Sequence, residues 1–497
     1  MQAEALRARL EREGLLVRWP AGAPAVVPAV TTDSRHVERD ALFLAYRGSV
    51  VDGHDYLAAA ARAGAAFALV ERPVPGVAIP QAEVRDGKRA ASVAASAFFG
   101  NPGEALVLLA VTGTNGKTTT AHLLRHLFGD RAPAGSIGTL GAIDGKGDLV
   151  PTGGSLTTPG PVELFRALAL LRHSGVQTVA MEASSHSLDQ DRIAGLEFQA
   201  AVFTNLTRDH LDYHGDEAHY LAAKVKLDRY LAPGGFQVVN ADDRAWAALP
   251  RRSEHITFGV KDPADVRAED VAGDRLGMRF NLVVRGASVP VALPLLGTFN
   301  VENALGAAAA AIALGREPAW VAKRLGAAPQ VPGRMERLTE KPCVVLRDYA
   351  HTPDALERAL AALRPLTKGR LVVVFGAGGD RDTGKRPLMG AIAAKGADLS
   401  VVTSDNPRTE DPEKIMHDIE AGMGGTPHLR IVDRRAAVQR ALAIAKPDDV
   451  ILLAGKGHET YQVVGEEHVP MDEREIVAAA VGGAGAGAGT AGEGGAA

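Results

Sequence analysis

Eight consecutive residues, Thr112-Gly113-Thr114-Asn115-Gly116-Lys117-Thr118-Thr119, combine what is needed to hold a chain of phosphates. Glycines let backbone N–H groups turn inward, and the start of a helix adds positive potential. Lys117 would reach the β- and γ-phosphates, and the Thr118 hydroxyl would face Mg²⁺. The strict Walker spacing fails, because its first glycine would fall at Val111; Gly113 makes a shorter loop. A glycine-rich turn with a chance lysine is the plain alternative. The apolar strand Leu106 to Val111 before it and the helix from Thr118 to Phe128 after it count against that reading. Glu182, in Glu182-Ala183-Ser184-Ser185-His186, and His210, in Asn205 to Asp212, follow further apolar strands. Both should therefore open at the same C-terminal sheet edge, where a carboxylate and an imidazole could hold Mg²⁺ against a transferring phosphate. Taken singly, each also fits an ordinary hydrogen-bonded group at a strand end.

The elements that must position these groups follow the strand–loop–helix alternation of an α/β chain. Thr178 to Met181 and Ala201 to Thr204 read as short buried strands, and Ala304 to Leu314 as an Ala-rich helix. Such alternation implies a parallel sheet with helices on both faces. The last third repeats it: Leu371 to Phe375 runs into Gly376-Ala377-Gly378-Gly379, and Leu399 to Thr403 and Val450 to Ala454 add strands. That predicts a second, Rossmann-like doubly wound sheet. The first hundred residues mix short strands such as Ala41 to Ala45 with an Ala-rich helix near Tyr56 to Gly64. Turn signals at Asn101-Pro102-Gly103 and Val331-Pro332-Gly333 divide the chain into 1–103, 104–331 and 332–480. The expected fold is α/β in three domains: a small mixed N-terminal one, a central phosphate-loop sheet and the Rossmann-like C-terminal one. Residues 481–497 are nearly all Gly and Ala and read as a disordered tail.

Composition narrows the function. The 497 residues exceed one hydrophobic core, and 46% apolar content supports ordinary globular cores. Lys plus Arg is 55 against 59 Asp plus Glu, a net charge of -4, so no strong positive field marks a nucleic-acid or membrane surface. The single cysteine, Cys343, cannot form an internal disulfide and reads as a buried strand thiol. No signal-length or membrane-length apolar run appears, so a soluble cytoplasmic protein is expected.

The loop Thr112 to Thr119, Glu182 to His186 and Asn205 to His214 together resemble the Mur ligases, which add amino acids in peptidoglycan synthesis. Asp33-Ser34-Arg35, Thr157-Thr158-Pro159, Asp348 to Pro353, Phe375 to Arg386, Asp405-Asn406-Pro407-Arg408 and Gly455 to Glu459 narrow the likeness to members adding the third stem residue. It spans about Asp33 to Glu475. The resemblance implies that the three domains serve the uridine nucleotide, ATP and the incoming amino acid. It implies that Thr32 and Ser34, with Ser49 to Val51, hold the uridine end. Thr157, Thr158, Ser184, Gln190 and Arg192 would grip the muramoyl dipeptide. Gly113, Thr114, Asn115, Gly116, Lys117, Thr118 and Thr119 match the ATP site, and Asn303, Arg334 and Asp348 lie near adenine, phosphate and ribose. Lys224 matches a lysine that the family carbamylates; its residue type alone reads as a solvated helix lysine. As a carbamate it would join Thr118, Glu182 and His210 around Mg²⁺.

The implied chemistry is amide-bond formation through an acyl phosphate, with Lys117, Glu182, His210 and Lys224 as catalytic groups. The substrates would be ATP, UDP-N-acetylmuramoyl-L-alanyl-D-glutamate and a diamino acid, handled by a monomer. Arg408 offers a planar fork for a second carboxylate, which meso-diaminopimelate has and lysine lacks. The family's diaminopimelate enzymes carry Asp405-Asn406-Pro407-Arg408 in this form, and Arg381, Gly455 and Glu459 match their other contacts. Lysine or ornithine is the alternative amine. A folylpolyglutamate synthase-like ligase shares the phosphate loop, but the N-terminal region and the Arg408 motif count against it. A nucleotide-driven switch would hydrolyse ATP without an amino acid, and a non-catalytic binding protein would not need the phosphate and metal groups.

Overall fold

The structure, a computed structural model, describes residues 1–48, 51–152, 156–261 and 263–484. The chain divides into two compact units. The first comprises Met1–Glu269, Asn281–Val291 and Glu302–Leu325; the second comprises Asp270–Phe280, Ala292–Val301 and the chain from Gly326 onward.

The first unit opens on a five-stranded sheet, in the order Leu16–Arg18, Gln81–Val84, Phe67–Val70, Leu42–Leu44 and Val30–Thr31. Alternate side chains divide its faces, as the two-residue strand period requires. Leu42, Leu44, Phe67 and Leu69 pack beneath the helices Ala3–Arg12 and Gly87–Phe98, while Phe43, Ala68 and Val70 meet the helix Leu57–Ala63.

The phosphate-loop segment lies in a second sheet of this unit. Its parallel centre runs Leu231–Asn240, Phe198–Phe203, Val107–Thr112, Thr178–Glu182 and Ala134–Gly138. The last four of these strands are almost wholly buried, as strands covered on both faces must be, and Leu231–Asn240 is buried mainly over its last four residues. Val107–Thr112 is central, and the chain leaves it for the far strand Ala134–Gly138 through the helix Lys117–Phe128. The loop after the central strand therefore opens where ligands bind doubly wound sheets. One apolar core runs without a break from the first sheet into this one, through the helix Gly87–Phe98 and the helix Pro161–His173 against it.

The second unit holds a six-stranded sheet, in the order Glu336–Thr339, Val344–Asp348, Val450–Ala454, Leu371–Phe375, Leu399–Val402 and His428–Arg430. Only its first strand is antiparallel. Leu371, Val373 and Phe375 face the helices Pro353–Leu363, Lys385–Gly396 and Pro412–Glu420; Val372 and Val374 face Arg434–Ala443 and the last helix. Thr352 and Asp411 cap their helices with a proline at the first helical position, a local start signal. Cys343 is fully buried, and burial pushes its thiol up to about 11.

The α/β class and the doubly wound character of both large sheets match the sequence expectation. Most helix bounds shift by a residue or so, and two elements depart further. The Ala-rich helix starts six residues early, as Thr298–Ala313, because Asn300, Glu302 and Asn303 interrupt its apolar pattern. The last helix, Glu473–Ala484, runs past residue 481, where the tail was expected to begin; the rest of the tail lies outside the described residues. Among the described residues no helix is long and apolar enough to cross a membrane. Phe165, fully buried in the shared core, should lose about 3–5 kcal/mol of stability as Phe165→Ala, read as a lower urea midpoint.

Candidate active site

The phosphate loop gets its shape from two glycines and from the chain that follows the neighbouring strand. Gly113 has φ 147° and Gly116 φ 85°. A Cβ at Gly113 would lie 1.9 Å from the Thr204 Oγ1, and one at Gly116 would lie 2.1 Å from the Asn303 Oδ1. Thr114 N–H donates to the Asn205 carbonyl (2.7 Å), and Asn115 N–H to the Asn205 Oδ1 (2.9 Å). Thr204 Oγ1 donates to the Asn115 carbonyl (2.7 Å), and Thr207 N–H to the Thr114 Oγ1 (2.9 Å). The loop is thus held before any ligand arrives.

Two lysines meet on this loop. Lys117 Nζ donates to the carbonyls of Gly113 (2.9 Å) and Thr114 (2.8 Å). Lys224 Nζ, on the helix Glu217–Val225, donates to the same Gly113 carbonyl at 2.7 Å. Lys224 is 1% exposed and lies 4.4 Å from the centre of the Tyr220 ring. Burial first, and the Lys117 charge second, hold its pKa well below the usual lysine value. Both causes shift Lys224 toward the neutral amine.

Glu182 ends its strand 1% exposed. Its carboxylate accepts from Thr118 Oγ1 (3.1 Å), Thr139 N–H (2.8 Å) and Thr139 Oγ1 (3.2 Å). Gly138 makes room for it, since a Cβ there would lie 2.2 Å from the Glu182 Oε1. The Thr118 hydroxyl and this carboxylate are hard oxygen donors, the chemistry Mg²⁺ prefers. His210 stands just before the helix Leu211–His214, in the left-handed region (φ 53°). It lies within electrostatic reach of Lys117 and Lys224 and packs edge-on against His186 at 4.8 Å between ring centres. Burial, then the neighbouring His210 and His214, lower His186 to about 4, so it is neutral at pH 7. Among the described residues no three His, Cys, Asp or Glu side chains gather as a ready ligand set.

A second polar group adjoins Glu182. Thr158 Oγ1 donates to the Glu182 carbonyl (2.8 Å) and accepts from Ser184 N–H (3.1 Å), while the Thr139 and Thr157 hydroxyls share a hydrogen bond at 3.3 Å. Arg192 donates to the Thr158 carbonyl (2.9 Å) and to the Gln190 Oε1 through Nε and Nη2. In the first sheet, Thr32 and Ser34 are half-buried beside Asp33, whose carboxylate is closed on Arg35. Ser49 and Val50 lie outside the described residues.

In the second unit the loops at the C-terminal strand ends carry the remaining groups. Asp348 is half-buried as a residue; enclosure of its carboxyl raises its pKa, with Arg334 acting the other way. Its Oδ2 accepts from Met335 N–H (2.7 Å), and the Arg334 guanidinium lies 4.6 Å over the Tyr349 ring. Asn406 donates to Glu459 Oε2 (2.9 Å), and Lys456 Nζ bonds Asn406 Oδ1 (2.7 Å) and Glu459 Oε2 (2.5 Å). A Cβ at Gly455 would lie 2.4 Å from the Asp405 Oδ2. Arg408 donates through Nη1 to the Gly379 carbonyl (2.8 Å), and both Arg408 and Arg381 come within 4 Å of a Cβ built on Gly378.

Comparison with known proteins agrees with this geometry. Residues 26–98 match the Mur ligase family catalytic domain, 111–311 the Mur ligase middle domain, and 333–457 the Mur ligase glutamate ligase domain. UDP-N-acetylmuramoyl-L-alanyl-D-glutamate--2,6-diaminopimelate ligase of Geobacillus thermodenitrificans is 42% identical over 476 residues, covering 93% of this chain and 96% of that one. The ligase of that name from Xanthomonas campestris pv. campestris is 45% identical over 479 residues, covering 92% and 94%. The chain belongs to the Mur ligase family. A solved structure of a ligase with the same name superposes with TM-score 0.66 at 33% identity, covering 93% of this chain and 97% of that one. Folylpolyglutamate synthase of Mycobacterium tuberculosis, at 19% identity and TM-score 0.60, shares the fold.

Against this Mur ligase frame, the structure brings Gly113 to Lys117 together with Lys224 and Asn303, and Thr118 together with Glu182. Thr158, Ser184, Gln190 and Arg192 form one bonded group, and Asp405 to Arg408 meet Gly455, Glu459 and Gly379. Several contributing residues carry no motif-level signal of their own. Thr139 fastens Glu182, Asn205 shapes the phosphate loop, Tyr220 covers Lys224 and Lys456 joins Asn406 to Glu459. Asn205 and Lys456 lie inside quoted motifs, but only the fold shows what each touches. Gly116→Ala should cost about 1–2 kcal/mol from its left-handed backbone alone, with the Asn303 clash added, read as a lower urea midpoint.

Proposed function

We propose that this chain is an ATP-dependent ligase that joins meso-diaminopimelate to UDP-N-acetylmuramoyl-L-alanyl-D-glutamate through an acyl phosphate. The observation that carries the mechanism is the buried, amine-favouring Lys224 on the phosphate-loop carbonyl of Gly113. A carboxylate and an ammonium do not condense in water unaided. The acceptor's carboxylate must attack the γ-phosphorus of ATP and release ADP. The diamino acid's amine then attacks the acyl carbon, and phosphate leaves from the tetrahedral intermediate.

Lys117 would trade its loop carbonyls for the β- and γ-phosphates, placing its charge where negative charge accumulates. Asn303, Arg334 and Asp348 are the proposed nucleotide contacts beyond the loop. Thr157, Thr158, Ser184, Gln190 and Arg192 would orient the dipeptide carboxylate, with Thr32 and Ser34 toward the uridine end. Lys224, as a neutral amine, can take up CO₂ and release a proton, leaving a carbamate in place of a cation. Thr118, Glu182, His210 and carbamylated Lys224 would hold Mg²⁺, whose chemistry is to neutralise phosphate charge. A monomer is the proposed working unit. Its soluble nucleotide substrates suit the cytoplasm.

Arg408, fixed by the Gly379 carbonyl, is the proposed partner of the second carboxylate of diaminopimelate. Arg381, Asp405, Asn406, Pro407, Gly455 and Glu459 complete that pocket, and Glu459 is an apt acceptor for an ammonium. Purified enzyme given ATP, the UDP-linked dipeptide and equal concentrations of diaminopimelate, lysine or ornithine should ligate diaminopimelate by preference. Preference for lysine or ornithine would refute the assignment. Lys224→Ala should lose ligation, and short carboxylic acids should restore part of it; a variant with near-normal turnover would sink the carbamate role.

A further inference from the structure

We propose that Arg386, Glu410, Asp380 and Thr409 form a positioning clamp that sets where the Arg408 and Arg381 side chains stand, and through them the choice of diamino acid. The proposal rests on the reaction assigned above and deepens it. Arg386 is 0% exposed in the first turn of the helix Lys385–Gly396. Its Nη2 donates to Glu410 Oε1 (2.8 Å) and its Nη1 to Asp418 Oδ2 (2.9 Å). The same Glu410 oxygen accepts the Asp380 N–H at 2.5 Å. The Asp380 carboxylate in turn accepts from the Thr409 Oγ1 (2.8 and 3.0 Å) and N–H (3.1 Å). Because Thr409 and Glu410 are neighbours in the chain, these bonds close a ring. Arg408 leaves the ring on one side and Arg381 on the other.

Backbone conformation shows what the ring holds. Asp380 has φ 52° and Arg408 φ 51°, both in the left-handed region where a side chain is strained. Such residues persist only where their surroundings over-determine them. The two loops are further joined by the Gly379 N–H on the Asn406 carbonyl (2.9 Å) and by Arg408 Nη1 on the Gly379 carbonyl (2.8 Å). They approach so closely that a Cβ at Gly379 would lie 1.9 Å from the Pro407 carbonyl oxygen. A buried guanidinium deprived of its carboxylates is costly, so Arg386 keeps Glu410 in place, and Glu410 keeps Asp380 in place. A guanidinium that binds a carboxylate through two parallel bonds must be held to within about 0.5 Å of the productive position. A loosened clamp therefore weakens recognition of the second carboxylate, which lysine does not have.

The test is steady-state kinetics of the full chain with ATP, the UDP-linked dipeptide and diaminopimelate or lysine, on Asp380→Gly, Asp380→Asn and Glu410→Gln. Asp380 is at the surface and glycine accepts its backbone angle, so Asp380→Gly carries the test if Glu410→Gln does not fold. Asp380→Gly should raise KM for diaminopimelate by about tenfold, leave KM for ATP and dipeptide within about twofold, and lower the preference for diaminopimelate over lysine in step. Asp380→Asn, which keeps an acceptor for Thr409 and tolerates the left-handed region, should restore most of the loss. An unchanged KM for diaminopimelate overturns the proposal. So does a parallel rise in all three KM values with a falling Tm, which marks a plain structural brace. A wild-type enzyme that ligates no diaminopimelate overturns the assigned reaction itself, and that outcome is read without any variant.

Discussion

One carbonyl oxygen, that of Gly113, accepts hydrogen bonds from two amino groups, and the rest of the catalytic arrangement depends on it. Two unit charges about 4 Å apart repel by about 4 kcal/mol at the effective dielectric of a partly buried site. With Lys224 fully enclosed, burial first and the Lys117 charge second push its pKa down. The Thr204–Thr207 segment holds the loop that carries this carbonyl, and the helix Glu217–Val225 carries the second amine. A displacement of either element would separate the two nitrogens.

The glycines of the two units solve different problems that look alike as letters. Gly113 and Gly116 sit in positive-φ positions of a loop shaped for an anion. Gly376 and Gly379 make no such loop: a Cβ at either would strike a backbone carbonyl, of Thr403 or Pro407. The second run exists so that two strand-end loops can touch, and the arginines they carry stand side by side. A glycine-rich run after a strand is therefore a phosphate signal only when a lysine and a helix start follow it directly.

Much of this arrangement was legible in the sequence. Strand–helix alternation predicted both doubly wound sheets, and Leu371–Phe375 and Val450–Ala454 appear with the expected bounds. Burial on both faces makes such strands continuous apolar runs, the clearest pattern a chain can show. The motifs also placed Lys117, Glu182 and Arg408 at strand ends. What could not be read is which side chains meet across large separations. Thr139 on Glu182, and Arg386 on Glu410, depend on how loops cross, not on local spacing. Lys224 is the sharpest case. Its residue type promises a solvated cation, and only the fold shows it enclosed beneath Tyr220.

The unbroken core between the first two sheets has a consequence for how this protein could be taken apart. Ala90, Val93 and Ala94 of the helix Gly87–Phe98 belong to the same apolar mass as Phe165 and Leu168. A chain severed after residue 103 would bare both surfaces to water, and each fragment would seek a replacement partner. The first sheet is therefore a poor candidate for transplantation onto another ligase, although its own strand order is complete.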